Sequence, residues 1–490
     1  MSPRLRRSPH LAVALLLAGP ACNGDDTSDG SATQGSTTAP ATTTASTSTT
    51  NSSESGSASE SSGGTASGSS TSGSTSSGSA TDTASGTSGT TATTGTTGTT
   101  GTTGTTGTTG DSSTTGMVGC PPDQTPSTFD FIWIANTSQA TVSKINTMTG
   151  VEVGRYYVSP TPGVGQSSRT SVNQWGDVAV SNRDPASVTK VSALLERCVD
   201  TNGNGMIDTS TGPNDIRPWG QDECVLWHTP LPLANGFGGG ARPTAWEGVS
   251  QDPMTCEMPT ARLWVGYKDA QNTAHFVRLD GDTGQIVDEA TRPGWSANYF
   301  GPYGGAVNTA GDFFVVGYDN EVSVRIDAAT LQVEELGLSP GNYKYGMGVD
   351  KSGNMWVGSF SGTDHIYHYD YAQKKWQGMG NGGNNAGGAL GVAVDQENRV
   401  WGAANGPCRL IELDGDTKTW SNQNIALPGC GSPWGVSIDN EGYVWVVDKA
   451  NQAFKVDPDT YEVKLIVKGL VNPYTYSDMT GQGLQLVLPQ

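Results

Sequence analysis

The sequence predicts an all-β fold, a seven-bladed β-propeller standing behind a long stalk that lacks structure of its own. Three observations predict it. A short turn pattern starts at Asn173, Asn308, Asp350, Asp395 and Asp439, each time with Gly or Asn as its fourth residue. Apolar runs flank each copy, and the run after the turn usually carries a tryptophan. Aligned on the turn, the units are about 43 residues long, the length of a four-stranded propeller blade.

The turn comes first because it sets the rest. Asp or Asn at the first position accepts a backbone N–H two residues on, and Gly or Asn at the fourth tolerates positive φ. The run before it, strand A, reads YGGAV at 303, YGMGV at 345, LGVAV at 390 and WGVSI at 434. Its glycines suit a place where blades crowd near an axis. The run after the turn, strand B, reads MWVG at 355, VWGA at 400 and VWVV at 444. Trp133, Ala179, Trp264, Phe314, Trp356, Trp401 and Trp445 fill seven such slots. Strand C alternates, as in VSKI at 142, FVRL at 276 and LIEL at 410, the pattern of a half-buried strand. A polar turn then leads to strand D. The second unit is the least regular, so six blades is the alternative count.

A hairpin cannot bury its apolar face alone, so these units must pack on one another and close. Trp133 has no strand A before it. The segment NPYTYSDMTG at 472–481 copies strand A and its turn, and is expected to complete the first blade from the other end of the chain.

Before Phe129 there is no Phe, Trp or Tyr. Residues 27–116 are almost wholly Ser, Thr, Gly and Ala, too polar to offset the entropy of ordering. As a flexible tether they would reach about 50 Å root-mean-square. Arg4, Arg6 and Arg7, an apolar stretch from Leu11 to Ala18 and a small-residue cut before Cys22 form an export signal. The expected organisation is a signal peptide at 1–21, a linker at 22–116 and a propeller at 117–490, with an insertion at 198–243.

Cys22 at the cut resembles the lipidated cysteine of bacterial lipoproteins, although Gly19 and Pro20 depart from the usual lipobox. The layout of signal, Cys, Ser/Thr/Gly stalk and globular end is similar to that of surface lipoproteins of myxobacteria and their relatives. That resemblance implies an exported protein at the outer membrane or cell surface, held by a lipid on Cys22. Simple secretion, or a periplasmic place, is the alternative.

Six further cysteines are an even number, as expected of an exported chain with disulfides. Cys408 and Cys430 flank one repeat, and Cys198 and Cys224 flank the insertion, so these are expected to pair. Cys120 and Cys256 remain as the third pair, among the 15 pairings that six cysteines allow.

The formal net charge is −20. Setting aside three arginines and seven acidic residues before residue 117 leaves −16. An acidic body disfavours nucleic acid and an anionic membrane as partners. Membrane contact is then expected only through the lipid anchor, and the protein is expected to be a monomer.

The strand A and B motifs resemble the NHL-repeat and streptogramin (virginiamycin B) lyase group of propellers over about 129–481. The resemblance implies the fold. In that group a histidine and a carboxylate act beside a magnesium ion near the channel mouth. Here no strand A opens with histidine, so none of those catalytic residues is carried over. His365 and His368, in or before a strand C, read as surface residues, and His228, in the insertion, is the one weak catalytic candidate.

Two other constellations stand out. Asp200, Asn202, Asn204, Met206 and Asp208 have the spacing of a calcium loop, with Gly205 for the sharp turn. Thr211 replaces the usual bidentate Glu at its twelfth place, and Asp215, Asp222 and Glu223 are the candidate substitutes. Calcium is the expected cofactor, in a structural role, and an ion-free Asn/Gly turn is the alternative. Trp246, Tyr303, Tyr345, Trp434 and Tyr474 stand at or near strand A starts, with Tyr299, Phe300 and Tyr343 as neighbours. In a propeller these starts ring one mouth of the central channel, where aromatic rings stack on sugars or peptide side chains. Packing between blades is the alternative use of the same rings. The functional expectation is a propeller that binds a glycan, peptide or protein ligand at that mouth. A divalent-cation-dependent lyase or hydrolase and a passive envelope component are the alternatives.

Overall fold

The computed structural model describes residues 120, 129–296, 298–361, 363–381 and 387–489, all within the unit Gly110–Gln490. The expected signal peptide, Cys22 and the 22–116 linker lie outside the described residues.

Among the described residues, seven antiparallel sheets follow one another along the chain. Six have four strands in meander order, and the innermost strands of neighbouring blades touch around a central axis. These innermost strands are Gly165–Val172, Thr244–Trp246, Pro302–Val307, Asn342–Val349, Ala389–Val394 and Pro433–Ile438. They belong to blades two to seven. The first sheet has only Phe131–Asn136, Thr141–Asn146 and Glu152–Tyr157.

Its missing inner strand comes from the end of the chain. The Trp133 N–H donates to the Met479 carbonyl at 2.9 Å, and the Tyr474 N–H donates to the Ala135 carbonyl at 3.1 Å. Asn136 and Pro473 form a bridge between the two. The propeller therefore has seven blades, and the tail closes the ring as the sequence predicts.

Each of the seven strand B positions read from the sequence lies in the second strand of its blade, at most 1% exposed. Burying a large aromatic side chain from water stabilises the fold by about 1.5–3 kcal/mol. Glycines in strand A let neighbouring blades approach. A Cβ on Gly304, Gly391 or Gly435 would come under 3.0 Å from the backbone oxygen of Tyr345, Trp434 or Thr475 in the next blade.

The repeated turn has a second purpose that its spacing alone does not reveal. Asp350 Oδ1 accepts the N–H groups of Ser352 and Asn354, and Gly353 has φ +78°, as the turn requires. Asp350 Oδ2 accepts the indole N–H of Trp356 at 3.0 Å. Asp395 and Trp401 repeat that bond at 2.9 Å, as do Asp439 and Trp445. Each such pair is six residues apart. Where the turn opens with Asn173 or Asn308, the sixth residue on is Ala179 or Phe314, which has no side-chain N–H to place.

The expected insertion at 198–243 is corrected. Val225–Pro230 within it is the fourth strand of blade two, and Gly236–Gly239 is a short helical turn before blade three. Cys198–Cys224 closes the loop before that strand, Cys408–Cys430 clamps the outer hairpin of blade six, and Cys120–Cys256 is the third disulfide. These are the pairs expected from the sequence. Three disulfides point to an oxidising compartment outside the cytoplasm.

Candidate functional site at the channel mouth

The strand A starts converge at one end of the channel. Tyr303, Tyr345, Leu390, Trp434, Tyr474 and Tyr476 form one buried cluster there, drawn from blades four, five, six, seven and one. Tyr303 stands edge-on to Tyr345 at 5.3 Å between ring centroids, and Tyr345 to Trp434 at 5.2 Å. Trp434 meets Tyr474 at 4.7 Å. Tyr476, which sequence reading missed, touches Tyr303, Tyr345, Trp434 and Tyr474. Beta-bulges near the strand starts, between Pro302 and Gly304, Lys344 and Met347, and Pro433 and Gly435, locally re-aim side chains.

Trp246 is corrected. It is the last residue of its short strand, and its indole donates to the Ser171 carbonyl at the other end of the channel. The pairing explains the shift. Ala245 lies opposite Trp264 as Ala306 lies opposite Phe314, so Trp246 takes the place of Val307. Arg242 takes the place that Tyr303 holds in blade four.

The inner aromatics are a plug rather than an open ring: none of the five tyrosines and tryptophans is more than 4% exposed. Around it lies an outer layer. Phe300 packs on Tyr303 at 5.5 Å and on Tyr318 at 4.6 Å, and Tyr318 packs on Tyr343 at 5.2 Å. Tyr299, 61% exposed, stands on Phe300 at 4.9 Å, and Tyr343 is 39% exposed. Aromatic surface therefore runs without a break from solvent to the axis.

Arginines enter the same cluster. The Arg169 guanidinium lies 3.0 Å from the Tyr476 ring centre and 5.1 Å from that of Tyr303. Arg242 lies 5.2 Å from Tyr303 and 4.9 Å from Phe300, and Arg183 lies 4.7 Å from Tyr474. Arg169 is 1% exposed and Arg242 is fully buried. Burial pushes the Arg169 guanidinium below its ordinary range, and the charges of Arg242 and Arg183 push the same way. Only the register of blade three signals Arg242 in the sequence. Arg169, beside a bulge between Ser167 and Arg169, leaves no such signal.

The opposite half of the channel holds a cavity of about 70 Å³. Trp246, Met347, Val392 and Ser437 line it with Asp478, and the helical turn Gln482–Gln485 stands beside it. Asp478 Oδ1 accepts the N–H groups of Thr480 and Gly481. Asp478 thus has the turn-forming position that the sequence assigned to it.

The histidines lie elsewhere. His228 is on the outermost strand of blade two, where Nδ1 meets Thr189 Oγ1 at 2.8 Å and the ring stands on Trp219. His365 and His368 are each 2% exposed, which corrects their reading as surface residues. His368 packs on Trp356 at 4.3 Å, and His365 on Trp420 of the next blade. Strand C is covered on both faces here by neighbouring blades, so alternation does not mark an outer surface.

The 200–208 loop closes on its own hydrogen bonds. Asp200 accepts the N–H groups of Gly203 and Gly205, and Asp208 Oδ2 accepts the side-chain amides of Asn202 and Asn204. These amides hold the Asp208 carboxyl below its ordinary range. Met206 is exposed, and its N–H donates to Asn204 Oδ1. Of the three acids weighed for the twelfth place, Glu223 reaches the loop. It accepts the N–H groups of Thr201, Asn202 and Asp208. Asp222 and Asp215 bind Ser210 and Thr211 instead. Among the described residues, no three His, Cys, Asp or Glu side chains stand close enough to hold a metal.

No protein-family model and no curated protein matches the chain. Solved structures are similar in fold. Selenomethionine-substituted virginiamycin B lyase from Staphylococcus aureus is 13% identical, with a TM-score of 0.46, over 64% of this chain and 88% of that one. A protein of unknown function from Bacteroides caccae is 11% identical, with a TM-score of 0.39, over 60% and 93%. A catalytically inactive histidine-to-alanine variant of the S. aureus lyase with quinupristin is 12% identical, with a TM-score of 0.45, over 70% and 88%. The likeness is one of fold, and nothing of those proteins' chemistry passes to this chain by it.

Proposed function

We propose that this protein is an exported propeller that binds a glycan, peptide or protein ligand on the aromatic mouth of its channel. A lipid on Cys22 and the Ser/Thr/Gly stalk would hold it away from the membrane. One observation carries the reading. Tyr299 and Tyr343 are exposed aromatic rings that rest on the half-buried rings of Phe300 and Tyr318, which pack in turn on the buried plug. Rigid rings backed by rigid rings offer large contact area at low entropic cost, the property that binding surfaces exploit. The buried plug gives this rim its support, so the residues expected to touch ligand are Tyr299, Phe300, Tyr318 and Tyr343. Tyr303, Tyr345, Trp434 and Tyr474 act behind them.

Calcium belongs to the same reading as a structural ion of the 200–208 loop. Its donors would be the Asp200, Asn202, Asn204 and Asp208 side chains and the Met206 carbonyl, with Glu223 beside them.

A panel of glycans and peptides screened against the mature chain tests the proposal. Binding should fall at least tenfold in a Tyr299→Ala/Tyr343→Ala variant that unfolds at the same temperature. A ligand that binds both proteins equally would place its site elsewhere.

A further inference from the structure

The 70 Å³ chamber at the far end of the channel from the aromatic plug has one ionisable side chain in its wall. The innermost strands of blades two to seven enclose it, and apolar residues such as Val349, Val392 and Val436 dominate its lining. Asp478 is the one acid or base that lines it among the described residues. Gly305, Ala306, Gly348 and Ala393 lie in innermost strands and line the chamber, yet they are half-buried, as is Asp478. They border open space rather than packed protein.

Asp478 departs from its repeat. It opens the turn of the closing strand as Asp350, Asp395 and Asp439 open theirs, and its Oδ1 accepts the N–H groups of Thr480 and Gly481. In those three turns the second oxygen accepts an indole N–H six residues on. The sixth residue after Asp478 is Leu484. Trp133, which fills the matching strand B place, donates its indole N–H to the Gly176 carbonyl instead. Asp478 Oδ2 is buried with no hydrogen-bond partner. Asp395 and Asp439 also pair with Arg399 and Lys455, whereas no cation pairs with Asp478 among the described residues. Burial pushes its carboxyl above the ordinary range, while nearby backbone N–H groups, those of Thr480, Gly481, Gly483 and Leu484, favour the charged form. A cation in the chamber acts in the same direction as those N–H groups.

A second space adjoins the first. A groove of about 220 Å³ shares Val394, Ile438 and Leu486 with the chamber wall. Four carboxylates border it, those of Asp395, Glu397, Asp439 and Glu441. Arg399 and Lys455 offset part of their charge, and the Glu397 side chain stays 65% exposed. The order from inside to outside is therefore a lone carboxyl, an apolar strip and an acidic groove. An apolar cavity of about 150 Å³ holds benzene, so by proportion the chamber takes about three heavy atoms. The remainder of any longer guest lies in the groove.

We propose that the chamber and its groove bind a linear aliphatic diamine, with one ammonium group at Asp478 and the other among the groove carboxylates. The alkyl chain between them lies on Val394, Ile438 and Leu486. Ammonium groups form charge-assisted hydrogen bonds with carboxylates, and a chain of net charge −20 draws cations toward it. This site is separate from the aromatic mouth and does not depend on the function proposed there.

The test is calorimetry at low salt on the full mature protein with 1,4-diaminobutane, 1-aminobutane and 1,4-butanediol. The diamine is expected to bind at least tenfold more tightly than the monoamine, and the monoamine more tightly than the diol. Asp478→Asn should weaken both amines at least tenfold. Asn opens the equivalent turns at Asn173 and Asn308, so this variant keeps the acceptor that the turn needs. Glu397→Gln/Glu441→Gln should remove the margin of the diamine over the monoamine; it also serves if Asp478→Asn fails to fold. Tyr299→Ala/Tyr343→Ala should bind the diamine as wild type does. Diamine binding that Asp478→Asn leaves unchanged would overturn the proposal, as would equal binding of diamine and diol. Equal binding of diamine and monoamine to wild type would overturn it too, because the groove would then play no part. Loss of diamine binding in the tyrosine variant would place the amine at the mouth and overturn the chamber. Binding of no probe would overturn this inference and leave the mouth to the glycan and peptide panel.

Discussion

The backbone N–H of Trp133 donates to the carbonyl of Met479, joining the first strand of the propeller to the last segment of the chain. The first blade is thereby complete only when both ends of the domain are present. Its inner position also carries Tyr474 and Tyr476, so closure of the ring and assembly of the mouth are one event.

Deleting the residues from Asn472 onward is therefore expected to remove cooperative unfolding altogether. It would open the sheet edge at Phe131–Asn136 and strip cover from Trp133. Calorimetry of the truncated chain should show no sharp transition. A transition near that of the full chain would mean that the tail is dispensable.

Asp350→Asn separates the two purposes of the turn. Its remaining oxygen can still accept the N–H groups of Ser352 and Asn354, while its amide faces the indole N–H of Trp356. A buried donor left without an acceptor costs about 1–3 kcal/mol. Urea unfolding should show a loss of that size. A Trp356→Phe partner should make the same substitution nearly neutral, and equal losses in both backgrounds would contradict the pairing.

His368 is a source of acid sensitivity. Burial, with help from Lys418, lowers its pKa to about 4, so the folded state holds the neutral ring. Its contribution is complete above the ordinary value near 6.5 and is lost as pH falls toward about 4, because the unfolded chain takes up the proton first. Between those values His368→Gln should lose stability with pH less steeply than wild type. Equal slopes would show that other groups set the acid limit.

The proposal of calcium at the 200–208 loop makes a thermodynamic prediction. An ion that binds only the folded form at a hundred times its dissociation constant adds about 2.7 kcal/mol. Millimolar calcium should raise the unfolding temperature, a chelator should reverse it, and Asp200→Asn/Asp208→Asn should abolish the shift. No shift in wild type would leave the loop as a turn held by its own amides.

Much of this architecture is legible in the chain because each level repeats. The Asp-to-Trp spacing, the strand A glycines and the tail at 472–481 all recur in register, and the blades follow. The mouth is only half legible. Tyr303, Tyr345, Trp434 and Tyr474 converge as expected, but Arg242 takes the aromatic's place in blade three, and Arg169 takes the place of a repeat glycine in blade two. No periodicity announces a replacement. Trp246 reads to the wrong end because blade three has a three-residue inner strand and no turn of the repeated kind to fix its register. His365 and His368 read as exposed because alternation counts one buried face, and a blade between two others has two.

The most direct test of the account is a structure of the mature protein with the tightest binder from the glycan and peptide panel. The account predicts ligand density on Tyr299, Phe300, Tyr318 and Tyr343 at the mouth of the channel. Density on an outer blade edge or on the 200–208 loop, with the mouth empty, would contradict it.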